Sequence, residues 1–434
     1  MFNTKKIDYH AICNWFSTGF FFDNENFFLR DKDDSTLKRM NKKWHYSPRD
    51  ITLDQAIENF SSLLASLVED NTKGESIILP LSGGLDSRTL AAVLRGNNNV
   101  KAYSYEFDGG VKETEYARKI AETYGWEFYS FTIPKGYLWN NIEEISNINN
   151  CRVEFTHPRQ MAVMKQISNL GDCILSGSMG DLLFDSFEIP KNSNIDGQVN
   201  KVVDLIVKPG GKEIANALWQ YWNLNGSFEQ SLNDNIRNKL YNIEIDNPSS
   251  CIRAFKAIHY VKNWTNVNMK IFSDYKPVYA PYHDSKMRDF ICAIPEFHLS
   301  NRKIQINYIK QKAPELAMIP WQNYDLNLYD YHKFNGSYLP RRGYRYIKRI
   351  FQEKVLRKTP IIQRNWELQF IGEKNDKNLK KWLFESPTLY QIVPKDIVED
   401  YYQKFKKHNS VKYSHPVSML LTLAVWTTKN LQNK

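Results

Sequence analysis

Between Ile77 and Leu94 the sequence IILPLSGGLDSRTLAAVL passes from an apolar run into a helical pattern through Ser82-Gly83-Gly84-Leu85-Asp86-Ser87. A short apolar run bounded by glycines reads as a buried strand, and the residues after Asp86 have helical spacing. The texture then repeats. Ser76 to Leu81, VKAYSYEF, EFYSFTI and DCILSGS read as strands, separated by helices at Ser87–Arg95, Thr114–Tyr124 and Arg159–Ser168, with Gly125 as a stop signal. Strands alternating with helices dictate an α/β fold with a parallel, doubly wound sheet covered on both faces. Ligands of such sheets sit outside the carboxyl ends of the strands. SGGLDS and SGSMGD both fall there, so two distant segments are predicted to converge on one crevice.

The flanking sequence has a different character. Residues 1–70 combine the aromatic stretch WFSTGFFFDNENFFLR with a charged connector and a helix. That helix opens on a capping box, Thr52 with Gln55, and carries Ile57, Phe60, Leu63, Leu64 and Leu67 as one apolar stripe. Residues 71–190 hold the alternating strands and helices. Beyond Pro190 the strand signals fade, and amphipathic helical segments fill residues 191–434. No repeat or low-complexity tract interrupts them.

Composition narrows the class. An apolar fraction of 42% with 24% charged residues fits a globular protein rather than a disordered one. No run approaches the ~18 apolar residues of a membrane span. Met1 is followed by no secretory pattern, so a cytoplasmic protein is predicted. The cysteines, Cys13, Cys151, Cys173, Cys251 and Cys292, are far apart and form no CxxC pair, which predicts buried free thiols rather than disulfides or zinc. The net charge of +10 is concentrated after Tyr331, with RRGYRYIKR (Arg341 to Arg349) and KFKK (Lys404 to Lys407) as clusters. These read as solvated helical faces. Without a recognisable RNA module or paired thiolation cysteines, nucleic acid is not the expected partner.

The SGGLDS junction is suited to holding phosphate. Two glycines let the backbone approach closely and adopt positive φ, and the turn's N–H groups join the positive end of the following helix. Ser82 and Ser87 add hydroxyls. Asp86 would be repelled by phosphate unless a cation lay between them, which assigns it to Mg²⁺. The Walker pattern GxxxxGK[ST] is absent, as is GxGxxG. A glycine turn with a capping side chain is the simpler alternative, although six specified residues after an apolar strand are more than it needs.

LSGGLDSRTLAAVL resembles the pyrophosphate loop of the N-type ATP pyrophosphatases, and specifically of the asparagine synthetase family, whose relatives include β-lactam synthetases and lasso-peptide cyclases. YARKIAETYGWEFYSF resembles the family's next helix and strand, and ILSGSMGDLLF the second nucleotide motif, usually SGEGSDE. VYAPYHD resembles the family segment VPFLD, NYIKQKAPELAMIP a later helix and turn, and LLTLAVWTTKNL the terminal helix. The aromatic stretch near Trp15 resembles the end of the family's glutaminase domain and its connector. The resemblance implies an adenine-nucleotide α-hydrolase sheet with a helical C-terminal part, binding ATP and Mg²⁺. Leu81, Ser82, Gly83, Gly84, Leu85, Asp86 and Ser87 would hold the nucleotide, Ser176 and Gly177 would meet the adenosine, and Asp86 and Asp181 would be the catalytic metal ligands. The implied reaction is an AMP-forming amide ligation: a small carboxylate, sugar acid or peptide is adenylated and captured by ammonia or an amine.

The sequence departs from the family pattern in several places. The amino-terminal cysteine nucleophile of a glutaminase is absent, since Phe2 follows Met1, so free ammonia, a separate glutaminase or a substrate amine would have to serve. Ser178 stands where the second motif has its acid, and Leu182 follows Asp181 where Glu is usual. Gln322 stands where the family has a lysine, with Lys310, His332 and Lys333 as possible substitutes. Glu113 replaces an aspartate. These losses keep a catalytically impaired, ATP-binding partner subunit as an alternative, with a tRNA-modifying enzyme or a non-catalytic binding protein behind it. His157-Pro158 reads as a structural turn near the crevice, Trp321 and Tyr324 as core or rim, and Asp284 as a helix cap.

Overall fold

The computed structural model describes residues 6–29, 43–108, 114–335, 343 and 369–431. Glu113 and nearly all of the cluster from Arg341 to Arg349 lie outside the described residues. Strands β1 (Ile77–Pro80), β2 (Val100–Phe107), β3 (Glu127–Ile133), β4 (Cys173–Leu175) and β5 (Val278–Tyr279) form one parallel sheet in the order β3-β2-β1-β4-β5. Ile77 sits in register with Val100 on one side and Cys173 on the other, and Ile174 with Val278. The chain winds outward through β2 and β3, then returns to lay β4 against the free side of β1. That reversal between β1 and β4 is the switch point at which doubly wound sheets open a ligand crevice.

The sheet divides two hydrophobic cores, and the period-two alternation of strand side chains decides which residue enters which. Ile78, Tyr103 and Ile174 face a core shared with the helical part. Ile77, Leu79, Ala102, Cys173 and Leu175 face a second core, built with helices Leu53–Thr72, Leu85–Val93 and Lys303–Lys312. The capping box at Thr52 and Gln55 is present, and Ile57, Phe60, Leu64 and Leu67 are buried while Leu63 is half-buried.

The aromatic stretch near the amino terminus is built into the first core. Helix Tyr9–Thr18 packs on Gly211–Tyr221, and a Cβ on Gly211 would lie 2.5 Å from the Ser17 carbonyl oxygen, so a glycine sets how closely the two can approach. Trp15, Phe16, Phe20, Phe21 and Phe22 are fully buried, and Phe27 stacks on Trp426 of the terminal helix Ser410–Leu431 at 4.1 Å.

Three elements differ from the sequence reading. Arg159–Ser168 is a 3₁₀ turn (Arg159–Val163) running into a short α-helix (Met164–Ser168). Helix Leu138–Asn149 and strand β5 add to the predicted elements. Lys404 and Lys406 of the KFKK cluster pair with Asp400 and Asp376, as a solvated charged face would. Among the described residues no helix is long and apolar enough to cross a membrane.

All the cysteines are free and buried. Burial pushes the Cys173 thiol up to about 11 and those of Cys151 and Cys251 up to about 12. A disulfide reagent such as DTNB is therefore expected to label none of the 5 thiols in the native protein and all of them in guanidinium. Rapid labelling before unfolding would contradict this packing.

Candidate active site

The loop after β1 is shaped by its own hydroxyls. The Ser82 N–H donates to Ser87 Oγ at 3.1 Å, the two serine hydroxyls lie 3.1 Å apart, and the Gly84 N–H donates to Ser82 Oγ at 3.2 Å. Gly84 then caps helix Leu85–Val93 with extended backbone, so neither of the two glycines supplies a positive φ. The expectation of a left-handed glycine is thereby corrected: closeness is what requires Gly83. A Cβ there would lie 2.6 Å from Gln322 Cβ and 3.0 Å from Tyr116 Cβ. Leu81 and Leu85 turn into the hydrophobic core, leaving only their backbone for a ligand.

Arg88, fully buried one turn into the helix, ties this loop to a remote segment. Its guanidinium donates to the carbonyls of Ile319 (2.7 Å), Pro320 (2.8 Å), Leu316 (3.2 Å) and Gly83 (3.3 Å). Burial lowers its pKa to about 10, which leaves it charged at neutral pH. The residues it captures lead directly to Gln322, whose N–H donates to the Gly83 carbonyl at 3.2 Å. The position matching the family lysine therefore lies against the loop and carries a neutral amide. Among the proposed substitutes, Lys310 lies 5.2 Å above the Tyr329 ring, Lys333 pairs with Asp330 at 2.6 Å, and His332 is exposed.

The second loop, after β4, meets the first at Asp86. A Cβ on Gly177 would lie 3.2 Å from the Asp86 carbonyl carbon and from the Ser87 nitrogen, and one on Gly180 would lie 2.5 Å from Asp86 Cγ. Both glycines are there because another segment's backbone or carboxylate fills the space a side chain would need. Between them Met179 is held at φ 79°, a left-handed conformation that costs a non-glycine residue of order 1–3 kcal/mol. Ser176 is anchored by donating its N–H to the Tyr279 carbonyl of β5 at 2.8 Å. Ser178, in the position of the missing acid, lies 3.3 Å from His283 Nε2. Burial lowers the His283 pKa, so a neutral Ser–His pair replaces the carboxylate.

Asp86 is the most constrained group in the crevice. It forms an ion pair with Arg302 and accepts from Gln305 Nε2 at 3.0 Å, while Arg302 Nε donates to Gln305 Oε1 at 2.8 Å. Arg302 and its neighbour Asn301 are both left-handed. Burial pushes the Asp86 pKa up; Arg302 opposes that and the nearby Asp181 charge adds to it. Asp181, exposed at the start of helix Gly180–Leu183, acts electrostatically on Asp86, on Lys256 and on Tyr260.

Other residues stand as their simpler readings had them. Asp284 caps helix Ser285–Cys292 by accepting from the Lys286 N–H at 2.7 Å. Trp321 is buried and packs on Tyr324 at 4.7 Å. His157 precedes a 3₁₀ turn and lies against Trp264 at 4.1 Å, where burial holds its pKa well below the usual range. Arg302, Gln305 and Lys256 went unread because nothing local distinguishes them. A consecutive left-handed pair and a π-helical turn leave no periodic trace in sequence.

A parallel sheet of this order, with glycine loops at the carboxyl ends of β1 and β4, is an adenine-nucleotide α-hydrolase fold. A comparison with protein-family models matches residues 62–368 to Asparagine synthase, and the chain belongs to that family. No curated protein matches it. The family uses ATP, and its domain implies an ATP-dependent, amide-ligase-like activity.

Gly180→Ala tests the junction without removing a functional group. The added methyl is expected to displace the Asp86 carboxylate and weaken ATP binding in calorimetry by at least about tenfold, the equivalent of 1.4 kcal/mol. Unchanged affinity in a folded variant would mean that the seat of Asp86 is not needed.

Proposed function

We propose that the chain is an AMP-forming ligase that adenylates a carboxylate and passes the acyl group to ammonia or an amine. The observation that carries this reading is the meeting of both glycine loops on Asp86 at the sheet's switch point. Leu81 to Ser87 would hold the triphosphate through backbone N–H groups and the Ser82 and Ser87 hydroxyls, with Ser176 and Gly177 at the adenosine. A carboxylate oxygen attacks the α-phosphorus and pyrophosphate leaves. The amine nitrogen then attacks the acyl carbon, and AMP departs with the carboxylate oxygen. Negative charge grows on the leaving pyrophosphate, so preorganised donors at the loop lower the barrier.

Asp86 and Asp181 would be the ligands of a magnesium ion. Mg²⁺ takes one or two carboxylates together with substrate phosphates and water, and does not need a cage of protein ligands. Among the described residues no group of three or more His, Cys, Asp or Glu side chains could hold a metal. When bound, the ion would neutralise charge on the phosphates and the departing pyrophosphate. Arg302, now the counter-cation of Asp86, would have to share or yield that carboxylate.

The decisive assay is pyrophosphate release that requires both a carboxylate and an amine. Asp86→Asn and Asp181→Asn are each expected to reduce it by at least about a hundredfold, since a factor of ten is 1.36 kcal/mol of barrier. If the wild type releases no pyrophosphate across a broad panel and both variants keep the biological activity, the chain is a non-catalytic partner subunit. The neutral Gln322 against the loop is the observation that favours that second reading.

The titration of Asp86 gives a separate test. Its raised pKa means that it takes up a proton above the ordinary aspartate range, and the protonated form cannot serve a cation. At subsaturating Mg²⁺, ATP binding is therefore expected to weaken as the pH falls toward the range in which Asp86 takes up its proton. Proton and ion then compete for the carboxylate, so binding that does not change as Asp86 takes up its proton would argue against Asp86 as a metal ligand.

A further inference from the structure

The turn that follows β5 touches both nucleotide loops. Within Pro281–His283, the buried Tyr282 donates its hydroxyl to the Asp86 carbonyl at 3.2 Å, and His283 Nε2 lies 3.3 Å from Ser178 Oγ. Tyr279, which ends β5, accepts the Ser176 N–H at 2.8 Å. The carboxyl end of β5 is therefore built into the place where the loops meet. It brings an imidazole to the serine that stands in the position of the missing acid.

β5 is the edge strand of the sheet, and a cleft of about 410 Å³ runs beside it between helices Leu53–Thr72 and Asn266–Ser273. The lining follows the strand from Ser273 and Val278, where the chain enters it, to His283 and Asp284, where the chain leaves. A water, close to ammonia in size, needs about 10–15 Å³ of such space, so the cleft accepts a much larger molecule than ammonia. Met269 and Pro281 supply apolar wall. Among the described residues no Lys or Arg lines the cleft, and its one carboxylate is that of Asp284. Asp284 Oδ1 accepts the Lys286 N–H at 2.7 Å, while Oδ2 has no hydrogen-bond partner among the described residues.

We propose that this cleft is the subsite of the amine, that it takes an alkyl primary amine in preference to ammonia or an amino acid, and that Ser178 and His283 receive the proton the amine loses. The proton step rests on the ligase reading; the affinity of the cleft for an amine does not. Asp284 draws an alkylammonium to the end of the cleft where Ser178 lies, with the alkyl chain along Met269 and Pro281. An amino acid would bring its carboxylate against Asp284 with no cation to offset it. The ammonium first gives one proton to solvent. As the neutral nitrogen attacks the acyl carbon, the C–N bond forms and the C–O bond to AMP breaks. The second proton passes to Ser178 Oγ while the serine's own proton passes to His283 Nε2, which leaves the amide, AMP and an imidazolium that returns its proton to water. This requires the tautomer with hydrogen on Nδ1. Burial lowers the His283 pKa, which leaves the ring neutral and free to accept at neutral pH.

Calorimetry on the full chain tests the cleft, with n-butylamine against ammonium chloride and glycine. Butylamine is expected to bind at least about tenfold more tightly than either. Asp284→Asn keeps a helix-capping side chain while removing the charge, and should weaken butylamine about tenfold. A packing defect would weaken a non-hydrolysable ATP analogue as well. The relay is read with butylamine and the carboxylate that drives pyrophosphate release. His283→Gln should lower kcat for the butylamide at least about a hundredfold with the KM for butylamine unchanged. No butylamine binding, equal binding of ammonium or glycine, or an unaffected Asp284→Asn variant would each overturn the subsite, and an unaffected His283→Gln variant would overturn the relay. Butylamine binding without carboxylate-dependent pyrophosphate release keeps the subsite and rejects the ligase reading together with the relay. Pyrophosphate release without butylamine binding keeps the ligase reading and rejects the subsite.

Discussion

A carboxylate gripped where two loops meet, with 25% of its side chain still exposed, governs this molecule. Asp86 is enclosed by the backbone of Gly177 and Gly180, by the Arg302 guanidinium and by the Gln305 amide. An aspartate drawn out of water is costly unless something repays its desolvation, and its raised pKa shows that Arg302 and Gln305 repay only part. A cation shared with Asp181 would supply the rest. Two glycines, three left-handed residues and a pair of distant loops are all arranged around this one group, which is how a site rather than a structural ion pair would be built.

The fold makes that arrangement rigid. Sheet side chains alternate between two cores, so β1 and β4 are fixed on both faces, and the loops at their ends inherit that precision. Arg88 adds a second constraint by binding the turn that carries Gln322 to the nucleotide loop. The aromatic amino-terminal segment acts from the opposite side. Its residues fill the core under the helical part, and Asp23 anchors the π-helical turn through His259.

Much of the sheet was legible in the sequence because its determinants are local. VKAYSYEF and EFYSFTI coincide with β2 and β3, since an apolar, β-branched or aromatic run between turn residues leaves few alternatives. The convergence of SGGLDS and SGSMGD followed from the position of ligands in parallel sheets. What was not legible is non-local or aperiodic. Strand β5 is two half-buried residues long, too short for any pattern. Arg302 reaches Asp86 from 216 positions away, and the π-helical register of Lys256–Thr265 shares its residue types with an ordinary amphipathic helix. The role of the loop glycines was misjudged for the same reason: Gly83 is required by Gln322, a residue far along the chain.

The most direct test traces an oxygen atom. With a carboxylate labelled with ¹⁸O, attack on the α-phosphorus and subsequent capture of the acyl group must leave one labelled oxygen in AMP. Mass spectrometry of the nucleotide products should find it there, with unlabelled pyrophosphate. Label in inorganic phosphate alongside ADP, or AMP formed without label, would mean that the crevice around Asp86 does not activate a carboxylate by adenylation.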